Sequence, residues 1–277
     1  MSLVDVGWQT GVLSAVFVAA LSAQAPSGYR LQRGDTLRFR EVSLGEITFV
    51  TPQGSVPVSS LHDAVIALAF SGADTARAWY EALTLAVRGP AGEQRPETQA
   101  ALRQPFVLTF DSRGRVSTLQ APQFPATFEG VSDLTKQFHD FFLRLPADLD
   151  LTVGRTWSDT LIQMDSTANG RTGEYARVIW CSITGDTVVG GITALAIATR
   201  QQIRVSAAGP VPGRPLTARS VLDGEDSGVY VFAPATGRLL GRSRTGQLVG
   251  TITYEGAAQA VTVQQRINYT NTIAAVP

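Results

Sequence analysis

Side chains that carry chemistry are few in this chain, and they are scattered. His62 and His139 are its only histidines and Cys181 its only thiol. A metal centre needs several such ligands converging, so no metal or cofactor is expected. Cys181 sits in the strand-like run YARVIWCSI, where an inert buried thiol is the default reading. His139 falls at the flank of an apolar segment beside Asp140 and reads as structural.

The acids offer two patterns. Asp223-Gly224-Glu225-Asp226-Ser227-Gly228 begins like a calcium loop, but Pro234 stands where the closing Glu belongs, so a solvated turn is expected. Asp148 and Asp150 share a face if extended. They could serve as a general acid–base pair, as in a hydrolase, although paired loop acids are commonplace. Gly241-Arg242-Ser243-Arg244-Thr245-Gly246 is one residue away from a nucleophile elbow but lies among strands. Gly185 to Gly191 lacks the lysine of a phosphate loop. The row Arg238, Arg242, Arg244 could meet an acidic partner or lipid headgroups. Its ordinary reading is the solvated edge of a sheet.

The totals narrow the classes. The 277 residues carry 23 Lys and Arg against 23 Asp and Glu, so there is no electrostatic case for nucleic acid. A 44% hydrophobic content is enough for a sizeable core. A single cysteine excludes a disulfide framework within the chain. From Val6 to Tyr29 there is no charged residue, and Ala23-Gln24-Ala25 matches a signal-peptidase site. Residues 1–25 therefore read as an export signal, or as an uncleaved anchor with Trp8, Val12 and Phe17 in the membrane; the absence of Lys or Arg before the apolar run keeps both open. Residues 26–277 read as one extracytoplasmic domain, periplasmic or extracellular, with anchoring to the inner membrane as the variant that goes with an uncleaved segment.

The elements that must position these groups are mostly short strands. Alternation marks Leu37 to Arg40, Glu46 to Val50 and the apolar run Ala64 to Phe70. Asp74 to Val87 fits either period and is assigned as a strand from its β-rich surroundings. Phe106 to Leu119 is a hairpin turning at Asp111 to Gly114. A meander of strands follows Tyr175, broken by expected turns at Asp223–Gly228 and Arg244–Gly246. Against this background Val131 to Leu145 stands out. Leu134, Phe138, Phe141, Phe142 and Leu145 recur at helical spacing, Ser132 can cap the start and Pro146 ends the run. The spacing predicts one principal amphipathic helix, 131–145, wrapped by a curved antiparallel sheet or half-barrel.

Two passages, Tyr29 to Phe39 (YRLQRGDTLRF) and Gly228 to Leu248 (GVYVFAPATGRLLGRSRTGQL), resemble exported bacterial β-proteins of uncharacterised function. Those are similar in architecture to the periplasmic lipoprotein carriers LolA and LolB. The resemblance implies a concave apolar side with the helix filling or covering it, and carries over no functional residue. Two functions follow as expectations. One is a non-catalytic accessory subunit of a membrane assembly. The other is a carrier that holds a lipid or other apolar ligand against Leu134, Phe138, Phe141, Phe142 and Leu145.

Overall fold

A computed structural model describes residues 28–30, 32–72, 74–124, 134, 138, 140–166, 170, 172–211, 214–256 and 260–276. Residues 1–25, with Trp8, Val12 and Phe17, lie outside the described residues, as does His139. No helix of the described residues is long and apolar enough to cross a membrane.

Twelve strands make one sheet: β1 Thr36–Thr51, β2 Gly54–Phe70, β3 Thr75–Gly89, β4 Gly92–Gln94, β5 Phe106–Phe110, β6 Val116–Gln120, β7 Thr156–Ser166, β8 Thr172–Val189, β9 Ile192–Pro210, β10 Thr217–Ala233, β11 Arg238–Glu255 and β12 Val261–Val276. Their order is β6-β5-β3-β2-β1-β12-β11-β10-β9-β8-β7, with β4 paired to β3. Every pairing between these strands is antiparallel. The first and last strands meet in the middle of the sheet, and β6 and β7 are its two ends.

The sheet is bent back on itself. Six steps separate β5 from β10, about 29 Å in a flat sheet at ~4.8 Å per strand. Yet the Tyr29 ring lies 5.4 Å from that of Phe110 on β5 and 4.9 Å from that of Phe232 on β10. The segment between β6 and β7 ties the two ends together. Leu145 N–H donates to the carbonyl of Arg113 in the β5–β6 turn at 2.8 Å, and Trp157 Nε1 at the head of β7 donates to the Arg144 carbonyl at 2.9 Å.

The expected principal helix is not found. No α-helix occurs among the described residues, and the sheet accounts for nearly all the regular structure. The burial pattern explains why the helical period misled. Phe141, Phe142 and Leu143 are consecutive and 0%, 3% and 1% exposed. A one-sided amphipathic helix would turn at least one of three neighbours to water. Phe141, Phe142 and Leu143 are buried together in the core, so one-sided spacing could not report their geometry. The other differences are strand lengths. Asp223–Gly228 and Arg244–Gly246 are no turns; they lie inside β10 and β11, paired without a break from Thr217↔Glu255 to Val231↔Gly241. Likewise β1 runs straight through Gly45. Asp74 to Val87 is a strand, as assigned, held by β2 on one side and by β4 and β5 on the other.

Charged pairs stand in mid-strand on the outward face of β9 and β10. Arg200 pairs with Glu225 at 2.9 Å and Arg204 with Asp223 at 3.7 Å, both pairs largely exposed. A lipid-facing barrel wall carries an apolar band instead, so this face of β9 and β10 is built for water.

Candidate functional site: a buried charged belt across the concave face

Pairing registers line the inward side chains into rows that cross the sheet. One row reads Glu41, Ile273, Arg242, Tyr230, Ile197. The next reads His62, Ser43, Asn271, Arg244, Gly228, Thr199, Cys181. A third reads Ser60, Gly45, Tyr269, Gly246, Asp226, Gln201. Together they form a polar belt inside an otherwise apolar barrel half.

Asp140, on the crossing segment, is the hub of the belt. It accepts from Arg177 and from Arg244, while Arg242 donates to the carbonyls of Asp140 and Phe141. Arg244 also donates through Nε to Asp226 at 3.0 Å, and Tyr269 Oη donates to the same carboxylate at 2.6 Å. Arg242 donates to Asn271 Oδ1 at 2.8 Å and lies 3.7 Å from Glu41, which accepts from Asn271 at 2.6 Å. Three arginines therefore face three acids, so the belt carries no net charge. Gly246 leaves the room this needs, since a Cβ there would stand 2.5 Å from Asp226 Cβ and 2.6 Å from Tyr269 Cζ.

Burial alone would push the Asp140 carboxyl up, but the guanidinium groups of Arg177, Arg244 and Arg242 outweigh it, and the carboxyl falls from its ordinary 3.8 to about 2. Arg177 and Arg244 stay protonated against burial because Asp140 faces both. Burial holds the hydroxyls of Tyr175 and Tyr269 protonated. A depressed acid adds stability above its unfolded value, which disappears as pH falls through the folded one. The Asp140 contribution should be intact at pH 5 and lost between about pH 4 and pH 2. Asp140→Asn should flatten the stability curve in that window, as read by urea unfolding at stepped pH; a curve unchanged in shape would remove Asp140 from the hub.

The sequence-derived candidates are placed as follows. Arg242 and Arg244 lie on β11, a central strand, and both point inward; the solvated-edge reading is corrected. Arg238 pairs with Asp35 at 3.3 Å at the rim. Leu134, Phe138, Phe141, Phe142 and Leu145 all belong to the core, where the Phe141 ring lies 5.3 Å from Phe39 and 5.0 Å from Phe142. Of the calcium-like run, Asp223 and Glu225 face outward and Asp226 inward, because strand alternation splits them. Asp148 pairs with Arg155 and accepts from Asp150 N–H at 3.2 Å, so it shapes its own loop. Among the described residues no three His, Cys, Asp or Glu side chains gather as metal ligands would.

Cys181 is buried in the second row, and burial pushes its thiol up to about 12. It should resist aromatic disulfide reagents at pH 8 in the folded protein and react at once in denaturant; fast labelling of the native protein would contradict this placement.

Sequence reasoning missed Asp226, Glu41 and Arg177 as belt members. The available signal was parity. Each sits on the same side of its strand as an apolar core residue: Asp226 with Leu222 and Tyr230, Glu41 with Phe39, Arg177 with Ile179 and Cys181.

Beyond the belt the inward rows turn apolar again. Val58, Ile47, Ile267, Leu248, Gly224 and Ile203 form one row, and Val56, Phe49, Gln265, Gly250, Leu222 and Val205 the next. Ile203 and Leu222 are buried, but Ile47, Phe49, Val58, Leu248 and Ile267 are only half-buried. This end of the sheet is bounded by the β1–β2, β9–β10 and β11–β12 connections. On the far side of the belt, the concave face is filled by the aromatic core.

No family model matches the chain, and no curated protein matches it. Several solved structures show some likeness to the chain. Neisserial surface protein A is 8% identical, with a TM-score of 0.25, covering 86% of this chain and 96% of its own. OccK11 (OpdR) of Pseudomonas aeruginosa is 7% identical, with a TM-score of 0.21, covering 89% and 99%. OmpT of Vibrio cholerae is 9% identical, with a TM-score of 0.18, covering 90% and 99%. Likeness of this size assigns neither a fold family nor a role, and no family match supports the likeness to LolA and LolB.

Proposed function

We propose that this is a non-catalytic protein of the extracytoplasmic space that holds an apolar ligand, such as an acyl chain, in the open end of its concave face. One observation carries the reading. Inward apolar residues on adjacent central strands, Val58, Ile47, Ile267 and Leu248, remain half-exposed in a single cross-strand row, while the same face is sealed on the other side of the belt. Covering them with a ligand releases the free energy of apolar burial, about 25 cal/mol per Å². The belt is the floor of this trough. Its charges are matched internally, so it stops a tail without demanding a charged head. The ligand thus lies across the three rows of the belt from the phenylalanines, whose faces are already taken by one another.

The test is a fluorescence titration with a dansylated long-chain fatty acid. Wild-type protein should bind saturably. Ile267→Glu places a charge in the trough and should weaken binding at least tenfold, whereas Val229→Glu, on the outward face of β10, should leave it unchanged. Equal affinity in all three proteins would end the proposal. Export would be read from the mature N-terminus of protein taken from its own host.

A further inference from the structure

We infer that the free edge of β7 is a self-association surface, and that two copies of the chain join there, antiparallel about Leu161, into one continuous sheet. The inference is independent of the ligand reading.

The two ends of the sheet differ. β6 is 5 residues long, whereas β7 has 11 and pairs with β8 on one side only, with no strand on its other side among the described residues. Proteins usually blunt a long edge with lysine, proline or an inward charge. β7, TWSDTLIQMDS, has no Lys, Arg or Pro, and the inward Asp159 is already neutralised by Arg144 at 3.1 Å. Toward its C-terminal end the outward side chains are apolar, with Ile162 64% and Met164 71% exposed, and Trp180 of β8, 43% exposed, stands on the same outward face across from Ser158. Ile162, Ala176 and Val178 line an outward groove of about 560 Å³ that is bordered by Arg204 and Glu225.

The sequence of β7 fits a second copy of itself. A two-fold axis at Leu161 sets Leu161 against Leu161 of the second copy, Thr160 against Ile162, Asp159 against Gln163 and Ser158 against Met164. No like charges face each other, and each large outward residue meets a small one. Ser158 is also the cross-strand partner of Trp180. The Met164 thioether of the second copy would therefore reach over Ser158 toward the Trp180 ring, a contact that sulfur and aromatic rings favour. Thr160 O already receives Arg144 Nη1 at 3.4 Å, and a carbonyl can accept a second donor.

The test uses the full chain in sedimentation velocity over a range of concentrations. Wild type should form dimers. Ile162→Lys should raise the dissociation constant at least tenfold, and Val229→Lys, outward on β10, should not. In an equimolar mixture of Thr160→Cys and Ile162→Cys chains, mixed disulfides should form faster than like disulfides in either chain alone. This readout needs no charged substitution, so it stands even if Ile162→Lys folds poorly. A monomer at every concentration, a dimer indifferent to Ile162→Lys, or cross-links without the mixed preference would each overturn the inference.

Discussion

Replacing Arg244 by alanine should destabilise the protein by about 3–5 kcal/mol, the usual cost of removing one member of a buried ion pair. Arg244 holds two acids at once, Asp140 and Asp226, and its side chain is almost wholly out of water. Without it Asp226 keeps, among the described residues, the Tyr269 hydroxyl as its side-chain donor, and Asp140 keeps Arg177. For a chain of this size the melting temperature should fall by on the order of 10 °C. The paired variant Asp226→Leu with Arg244→Met should cost less than the sum of its single changes, by roughly 0.5–3 kcal/mol, because it leaves two arginines facing two acids and the belt stays neutral. Additive losses would mean that the two side chains are coupled only through general packing.

Phe141→Ala should cost about 3–5 kcal/mol, as for other fully buried aromatics. The ring is 0% exposed and packs edge-on to Phe39 at 5.3 Å, with the Arg242 guanidinium 5.8 Å from its centroid. It therefore sits where the aromatic core meets the belt. The loss should appear in urea unfolding as a lower midpoint with an unchanged slope. A substitution tolerated within 1 kcal/mol would mean that the crossing segment does not plug the sheet.

How much of this could be read from the amino-acid sequence differs by element. The β5–β6 hairpin and the apolar run of β2 were visible because alternation and turn residues agree there. The long strands β10 and β11 were cut into pieces. Their Gly, Asp and Arg residues are turn formers or solvated groups in most settings. Here Gly224, Gly228, Gly246 and Gly250 face inward, where neighbouring strands leave no room for a side chain, and the charged residues find partners from β1, β12 and the crossing segment. Those partners are separated by up to about two hundred residues, so no local window contains both halves of the pair. The segment around Phe138 gave a true signal of burial and a false one of conformation. Buried residues can match a helical period by chance, and the burial of Leu143 between the expected positions is the sign that departs from a one-sided helix.

The proposed ligand trough beyond the belt is lined by half-buried Ile47, Leu248 and Ile267. Thiol protection tests it most directly, since the native Cys181 is buried and stays silent at neutral pH. A cysteine introduced by Ile267→Cys should react with a maleimide in the free protein. Saturating long-chain fatty acid should slow that reaction at least tenfold, while Val229→Cys on the outward face should react at the same rate with and without the ligand. If the Ile267→Cys thiol reacts equally fast in both conditions, or is unreactive in the free protein, the trough is not a binding site.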